Sequence, residues 1–490
     1  MLRYIIIAFT LLLWMPETES QNIIDAYRYA FQTPTGSARY NGLSGAMSAI
    51  GADLSTASHN PAGIAAFWKS EVAGSLGVSI IGNNSTLIDG GTGEIGSNDF
   101  KFTVPQGGIV FTTYTPNKSW MAKSFGISYK QLVDYGNDIF YEGNSRGSIS
   151  ERWAELASGK SPNELDFWEA GPAYDAFVLY DPINNQYHYD YKGHKNELHR
   201  SQKIDYEGSQ GELTFSFGGN YLNRFLIGGA IGIDFLNFTR KKQYSEVDIN
   251  NEIPYFMEIV FNENLVTSGV GVNAKIGSII KLTPQWAWSI AFASPTRFSL
   301  NDSQRNIVQN TWKDTEEVET ESGDSEQWEF ENIFISPWRI STGVAYKVGG
   351  RGFIDAEMDY IGYKSSKFDF KNPSIDDQKE LNKLNTELNE VFYNTLNFRL
   401  GGEMAVSAFR LRAGGFFYSS PLESFKNTKG FSLGAGFRGD NWYIDISYMM
   451  RANSRNYLPY LPYESPDLVI PSVDIKTRES NFGLTLGFKM

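Results

Sequence analysis

Four histidines, no cysteine and a scatter of carboxylates bound the chemistry this chain could carry. His188, His194 and His199 are spaced six and five apart. Neither spacing sets two imidazoles on one helical face, so the trio does not read as a zinc or haem site. His59 stands apart and reads as incidental. Without cysteine there is no thiolate nucleophile, no thiolate-bound metal and no disulfide. A serine hydrolase would need a serine and a histidine positioned as a pair, which no spacing here implies. Gly159-Lys160-Ser161 ends like a phosphate loop, but Ala154 stands where the first glycine belongs and no strand pattern precedes it. A net charge of -13 over 490 residues argues against a nucleic-acid partner. The chain therefore reads as a non-enzyme with no cofactor and no catalytic or metal residues.

The pattern that remains is architectural. Residues 1–20 have the form of a signal peptide: Arg3, an apolar run Tyr4–Met15, and small residues before a cleavage point ahead of Gln21. Beyond them no apolar run approaches the ~20 residues a membrane helix needs. Mean hydropathy is -0.33. A membrane β-barrel stays open, because only alternate residues of its strands must be apolar.

Residues 21–70 form an N-terminal unit distinct from the rest. Ile23, Ile24, Tyr27 and Phe31 have helical spacing. Gly36–Gly63 follows, rich in Gly, Ala and Ser and closing on Asn60-Pro61-Ala62-Gly63. Such small residues allow close backbone approach but cannot build a core of their own. The stretch needs an enclosure.

From Val72 onward the pattern has period two. Phe482, Leu484, Leu486 and Phe488 alternate with Gly483, Thr485 and Gly487, and Ile354, Ala356, Met358 and Tyr360 with Asp355, Glu357 and Asp359. About fourteen such segments fit residues 71–490, an even number that suits an all-β transmembrane antiparallel barrel. Short turns such as Leu222–Arg224 and Gly439-Asp440 alternate with long connections at 82–101, 138–210, 240–265, 301–333, 365–394 and 453–475. That asymmetry matches tight periplasmic turns and long extracellular loops. Within 365–394, Leu381, Leu384, Leu388, Val391 and Phe392 predict an amphipathic surface helix. The acidic stretch 301–333 reads as a solvated loop, with cation bridging to lipopolysaccharide as the sharper alternative. Asp355, Glu357, Asp359, Arg399, Glu403, Arg410 and Arg412 fall on polar faces and read as lumen charges pairing across the interior.

Gly36-Ser37-Ala38-Arg39, Gly51-Ala52-Asp53-Leu54 and Asn60-Pro61-Ala62-Gly63 closely resemble the hatch of the FadL/TodX family of outer-membrane transporters for long-chain fatty acids and other hydrophobic compounds. Ser294-Pro295-Thr296 and Pro337–Tyr363 look like its bacteroidete branch. The resemblance covers the chain beyond the signal peptide and implies a fourteen-stranded barrel plugged by the hatch. It implies that Asn60, Pro61, Ala62 and Gly63 anchor the plug to the wall. It also implies a kink in the third strand, here Lys123–Asn137, where Gly126 or Gly136 could open a lateral exit. The implied partners are a hydrophobic small molecule and outer-membrane lipid with lipopolysaccharide, and the implied state is monomeric. A non-transport scaffold or secretion-machinery role for the same barrel is the alternative.

Overall fold

The computed structural model describes residues 21–490 apart from 89, 116–117, 315–316, 371–374 and 462–468. The expected leader, 1–20, lies outside the described residues. Fourteen antiparallel staves close into a barrel. They are β1 (Glu71–Leu87), β2 (Ile95–Tyr114), β3 (Trp120–Asp134, continued by Asn137–Ser145), β4 (Leu198–Tyr221), β5 (Phe225–Val247), β6 (Phe256–Lys281) and β7 (Trp286–Ala293, continued by Arg297–Asp314). Then follow β8 (Glu317–Asp324, Trp328–Ile335 and Arg339–Lys347), β9 (Gly352–Ile361, continued by Lys367–Asp369), β10 (Thr395–Val406), β11 (Phe409–Tyr418), β12 (Thr428–Arg438), β13 (Trp442–Tyr457) and β14 (Val473–Lys489). The seam between β1 and β14 is fully zipped, from Glu71↔Lys489 to Leu87↔Val473.

Alternation decides which face each residue takes. Leu213, Ile233 and Val272 form one transverse row of outward side chains on β4, β5 and β6. Phe102 is 82% exposed, and Leu76, Ile276, Leu400 and Leu484 also point outward. From Phe225 to Phe235 the apolar band covers about 25 Å of height at the usual strand tilt, the thickness of a membrane span. No described helix is long and apolar enough to cross a membrane.

The staves run well past this band, so several stretches read as loops are strand. The 82–101 connection shrinks to the stretch between Leu87 and Ile95, and 240–265 to that between Val247 and Phe256. The segment 453–475 shortens to the connection from Tyr457 to Val473. The acidic 301–333 segment is a hairpin of β7 and β8, with Glu317, Glu319 and Glu321 paired in register against Asp314, Trp312 and Asn310. Above the apolar band both faces are polar, so the hydrophobic alternation fades while the backbone ladder, which does not depend on side chains, continues. Among the described residues, 138–210 and 365–394 also carry helices. The first holds a lobe with helices at Ile149–Ala157 and Ala170–Asp175, pinned to the rim where buried Arg200 donates to the Ser145 and Gly147 carbonyls at 2.8 and 2.7 Å. The second holds helix Ile375–Val391. Its Leu381 and Leu388, with Phe392 just beyond, are buried against Phe334, Phe368 and the N-terminal helix Gln21–Ala30. It therefore caps the barrel mouth; the amphipathic pattern correctly marked one apolar face, but that face meets the lumen.

Residues 38–66 fill the end of the lumen that carries the short turns, with three short helical turns, Ala38–Gly42, Leu54–Ser58 and Pro61–Ala66. The wall meets them with inward-facing glycines. A Cβ on Gly401 or Gly414 would lie 2.6 Å from the backbone of Leu43, and one on Gly218 would lie 2.9 Å from Ile64. Gly228 abuts the backbone of Pro61 and Ala62, and Gly277 the side chain of Asn60. Small residues on the plug thus match missing side chains on the wall. Gly228→Ala forces the plug backbone to shift, an overpacking of about 1–3 kcal/mol. The expected result is a correctly inserted barrel with raised conductance in planar bilayers, whereas Gly415→Ala, whose Cβ would meet only ordinary contacts, leaves conductance unchanged.

Candidate functional site

The N-terminal chain divides the lumen into two layers. Asp53 and Asn60 each cap a short 3-10 turn of the plug, at Leu54–Ser58 and Pro61–Ala66, and Pro61 occupies the first turn, where its missing N–H costs nothing. Asn60 accepts from the Ala62 N–H at 3.1 Å and donates to the Ser48 carbonyl at 3.0 Å. Both bonds stay inside the plug, so Asn60 shapes it and does not hydrogen-bond the wall. Gly63 donates to the Asn60 carbonyl at 2.9 Å, and Ala62 is fully buried.

The anchoring is electrostatic and lies beside that motif. His59, read from sequence as incidental, is buried against Glu357 and lies 3.3 Å from Asp359 on β9. Arg399 on β10 donates to Glu357 at 2.7 Å, to Asp359 at 2.6 Å and approaches the His59 ring at 2.9 Å. Asp355 and Glu357 also accept from the plug backbone, at Ala49 N–H (3.2 Å) and Ser48 N–H (3.3 Å). A second latch joins Arg39 of the plug to Glu403 at 3.2 Å, Glu403 to Arg412 at 2.7 Å, and Arg412 to Asp445 at 2.7 Å. Arg399, Glu403 and Arg412, expected from their strand positions to be lumen charges, each pair with a charged side chain of a neighbouring stave. Arg410 is not part of this network: it donates to the Ser407 and Phe409 carbonyls, both at 2.8 Å, because it sits at the second position of β11, within reach of the β10–β11 turn. His59, Glu357 and Asp359 have the donor types of a metal site. The Arg399 guanidinium already lies between them and supplies the positive charge an ion would bring.

Above the plug lies a small polar cavity of about 70 Å³. His59, Lys130, Glu212, Lys275, Arg339 and Arg399 line it. It makes a charged layer across the lumen axis. Higher still is a cavity of about 190 Å³ of different character. Ile24, Tyr27 and Phe31 from the N-terminal helix and its exit face Phe425, Ile81 and Val133. Tyr27 stacks on Phe425 and Phe31 at ring centroid distances of 4.6 and 5.2 Å. Arg28, Arg451 and Arg455 bring charge to its rim. Arg28 pairs with Asp25 and lies 4.1 Å over the Phe238 ring, while Arg451 pairs with Glu479. Arg455 lies 5.4 Å over Phe425 and 5.5 Å over Tyr457, and among the described residues it has no carboxylate partner.

This cavity borders a place where the wall is not laced. β2 and β3 pair only from Gln106↔Lys130 to Tyr114↔Ala122. Beyond that, β2 from Ile95 to Thr103 pairs with β1 alone among the described staves. β3 bulges between Gln131 and Val133, breaks at Tyr135-Gly136 and resumes at Asn137 against β4. The resumed segment is tied inward: its Asp138 carbonyl accepts from Asn83 at 2.7 Å and from Ser97 at 2.6 Å. Gly136 lies at this break. The side-chain end of Lys101 on β2 fills the space beside it, so any side chain at that position must displace this flexible lysine. Gly126 lies elsewhere, in an unbroken ladder between Val110 and Ser216. A sequence signal for the break was present in Pro105, which has no N–H to donate to a neighbouring strand and marks an edge.

No family model matches the sequence, and no curated protein matches it. Among solved structures the chain is similar to a FadL homologue of Pseudomonas aeruginosa, with a TM-score of 0.55 and 14% identity over 94% of this chain and 99% of that one. A toluene transporter of Pseudomonas putida, TodX, follows with a TM-score of 0.51 and 10% identity over 94% and 99% of the two chains. At such identities the likeness is one of architecture, and it extends over nearly the whole of both chains. A closed fourteen-stave barrel, with residues 21–66 folded into the lumen, thus carries the FadL-type fold.

Proposed function

We propose that this protein is an outer-membrane channel for hydrophobic small molecules, with long-chain fatty acids or similar acidic amphiphiles as cargo. One observation carries the reading: the more apolar cavity ends below on a charged layer and is bordered at its side by the break in β3. A greasy ligand gains roughly 25 cal/mol per Å² of apolar surface it buries in such a cavity. Crossing the layer of Lys130, Glu212, Lys275 and Arg399 would bring it no such gain. The lateral route past Gly136 and Lys101 leads instead to the lipid band outside. The plug then seals the axis while the wall releases the ligand. Arg455, a guanidinium without a carboxylate partner among the described residues and above two aromatic rings, supports an acidic headgroup as the polar end of the ligand. The fold's likeness to transporters supports the same class.

The direct test is uptake of a labelled long-chain fatty acid by cells with and without the protein. Uptake that is equal in the two, with the barrel inserted, would reject transport of this substrate and favour the scaffold reading. Gly136→Trp is expected to bring uptake to the level of cells lacking the protein, because the new ring stands across the wall opening. Arg455→Gln is expected to lower uptake of the fatty acid while leaving that of an uncharged hydrocarbon intact. Arg399→Gln addresses the plug. It strands Glu357 and Asp359 beside His59, a loss of about 3–5 kcal/mol for a broken buried pair. Its expected signature is a lower temperature for the heat-induced mobility shift of the barrel on gels, together with leakage of small polar solutes.

A further inference from the structure

The outer surface of the barrel carries a second feature that the lumen does not explain. Outward-facing cations above the apolar band are mostly neutralised by neighbours. Lys203 pairs with Asp205, Arg297 with Asp369, Arg305 with Asp324, and Lys476 with both Glu94 and Asp474. Others, such as Lys241 and Lys367, have no ion pair among the described residues, and two of these unpaired cations share one row. Lys429 on β12, Ala452 on β13, Arg478 on β14 and Gly82 on β1 lie side by side in register. Lys429 and Arg478 are both exposed, and among the described residues neither has an ion pair or a side-chain hydrogen bond.

Their height is as telling as their pairing. The next row toward the short-turn end holds Phe431, Met450, Ser480 and Ile80, where Phe431 and Ile80 are exposed members of the apolar band. The two cations therefore sit on the rim of that band, at the level of lipid headgroups. With strands ~4.8 Å apart, their backbones are about 10 Å apart. Between them stands only the methyl group of Ala452, and beyond Arg478 Gly82 has no side chain. The row is an open notch with a positive charge on one wall and another at its far side.

We propose that this notch seats the phosphate of a membrane lipid headgroup, with Lys429 and Arg478 closing on it from two sides and its acyl chains lying on Phe431, Met450 and Ile80. The proposal rests on the reading of the apolar band as a membrane span, but not on the transport reading. A cation near a membrane surface attracts anionic lipid, and a guanidinium adds the geometry for two parallel bonds to phosphate. The acidic β7–β8 hairpin is not needed for it, and no bridging divalent ion is needed either.

The test is native mass spectrometry of the full-length protein in detergent, titrated with diphosphoryl lipid A and with the dephosphorylated lipid. The wild type is expected to retain the phosphorylated lipid as a discrete adduct and to release the other. Lys429→Gln combined with Arg478→Gln should weaken retention by about tenfold or more, as the loss of two surface cations predicts. Lys203→Gln with Arg305→Gln, which removes two cations already paired, should leave it unchanged. Each single variant should give an intermediate loss, which keeps the test open should the double variant fold poorly. Retention by the double variant equal to wild type, or equal retention of the dephosphorylated lipid, overturns the proposal. Fatty-acid uptake by the double variant stays at the wild-type level, so a failure of this site and a failure of transport are separately visible.

Discussion

Arg399 is a full charge held where water is scarce, and the lower lumen is organised by that constraint. A buried guanidinium is tolerable only when its donors are met by carboxylates in good geometry. β9 supplies two of them on alternate residues, Glu357 and Asp359, and the plug supplies His59. The same carboxylate edge then reaches the backbone amides of Ser48 and Ala49. One buried charge thus ties the wall to itself and the plug to the wall. The glycine bed completes the arrangement, because the charged groups can only meet if the plug backbone comes within contact distance of the strands. Electrostatics sets the position of the plug, and the absence of side chains on Gly218, Gly228, Gly401 and Gly414 makes that position reachable.

What could be read in advance follows from the same physics. Inside the membrane band one face of each strand must be apolar, so the period-two pattern located the staves and the short turns well. Above the band no such demand exists, and there the strand ends of β5 to β8 went unread. The plug was legible as a unit because its composition differs from everything after it. Its anchoring was not. Asn60 and Pro61 stood out as a motif, yet their hydrogen bonds serve the plug's own turns. His59 bears the contact with the wall, and nothing in its local sequence said so, since its partners lie about 300 residues away. Arg410 shows the converse limit. Alternation put it on the inner face, but its proximity to a turn offered it carbonyls before any carboxylate.

The break in β3 shows how a barrel can leave part of its wall unlaced without leaving polar backbone in hydrocarbon. A spanning strand must have its amide groups satisfied. Here Pro105 removes one donor on the β2 side, and the far half of β3 turns inward to pair with β4. Asn83 and Ser97 then reach the Asp138 carbonyl from the neighbouring staves. Side chains take over where the ladder stops. A gap made in this way can be small and still stable, and Lys101 standing at Gly136 keeps it occupied.

The seam from Glu71↔Lys489 to Leu87↔Val473 joins the two ends of the barrel sequence, and the helix Gln21–Ala30 together with the plug lies inside the ring that this seam closes. The plug fills the short-turn end of the lumen, and there the chain passes directly from Pro61–Ala66 into β1 at Glu71. The contents of the barrel are thus tethered at the edge that the seam closes. The wall begins where its own contents end, and the carboxylate of Glu357 meets its plug partner His59 across 298 positions of sequence.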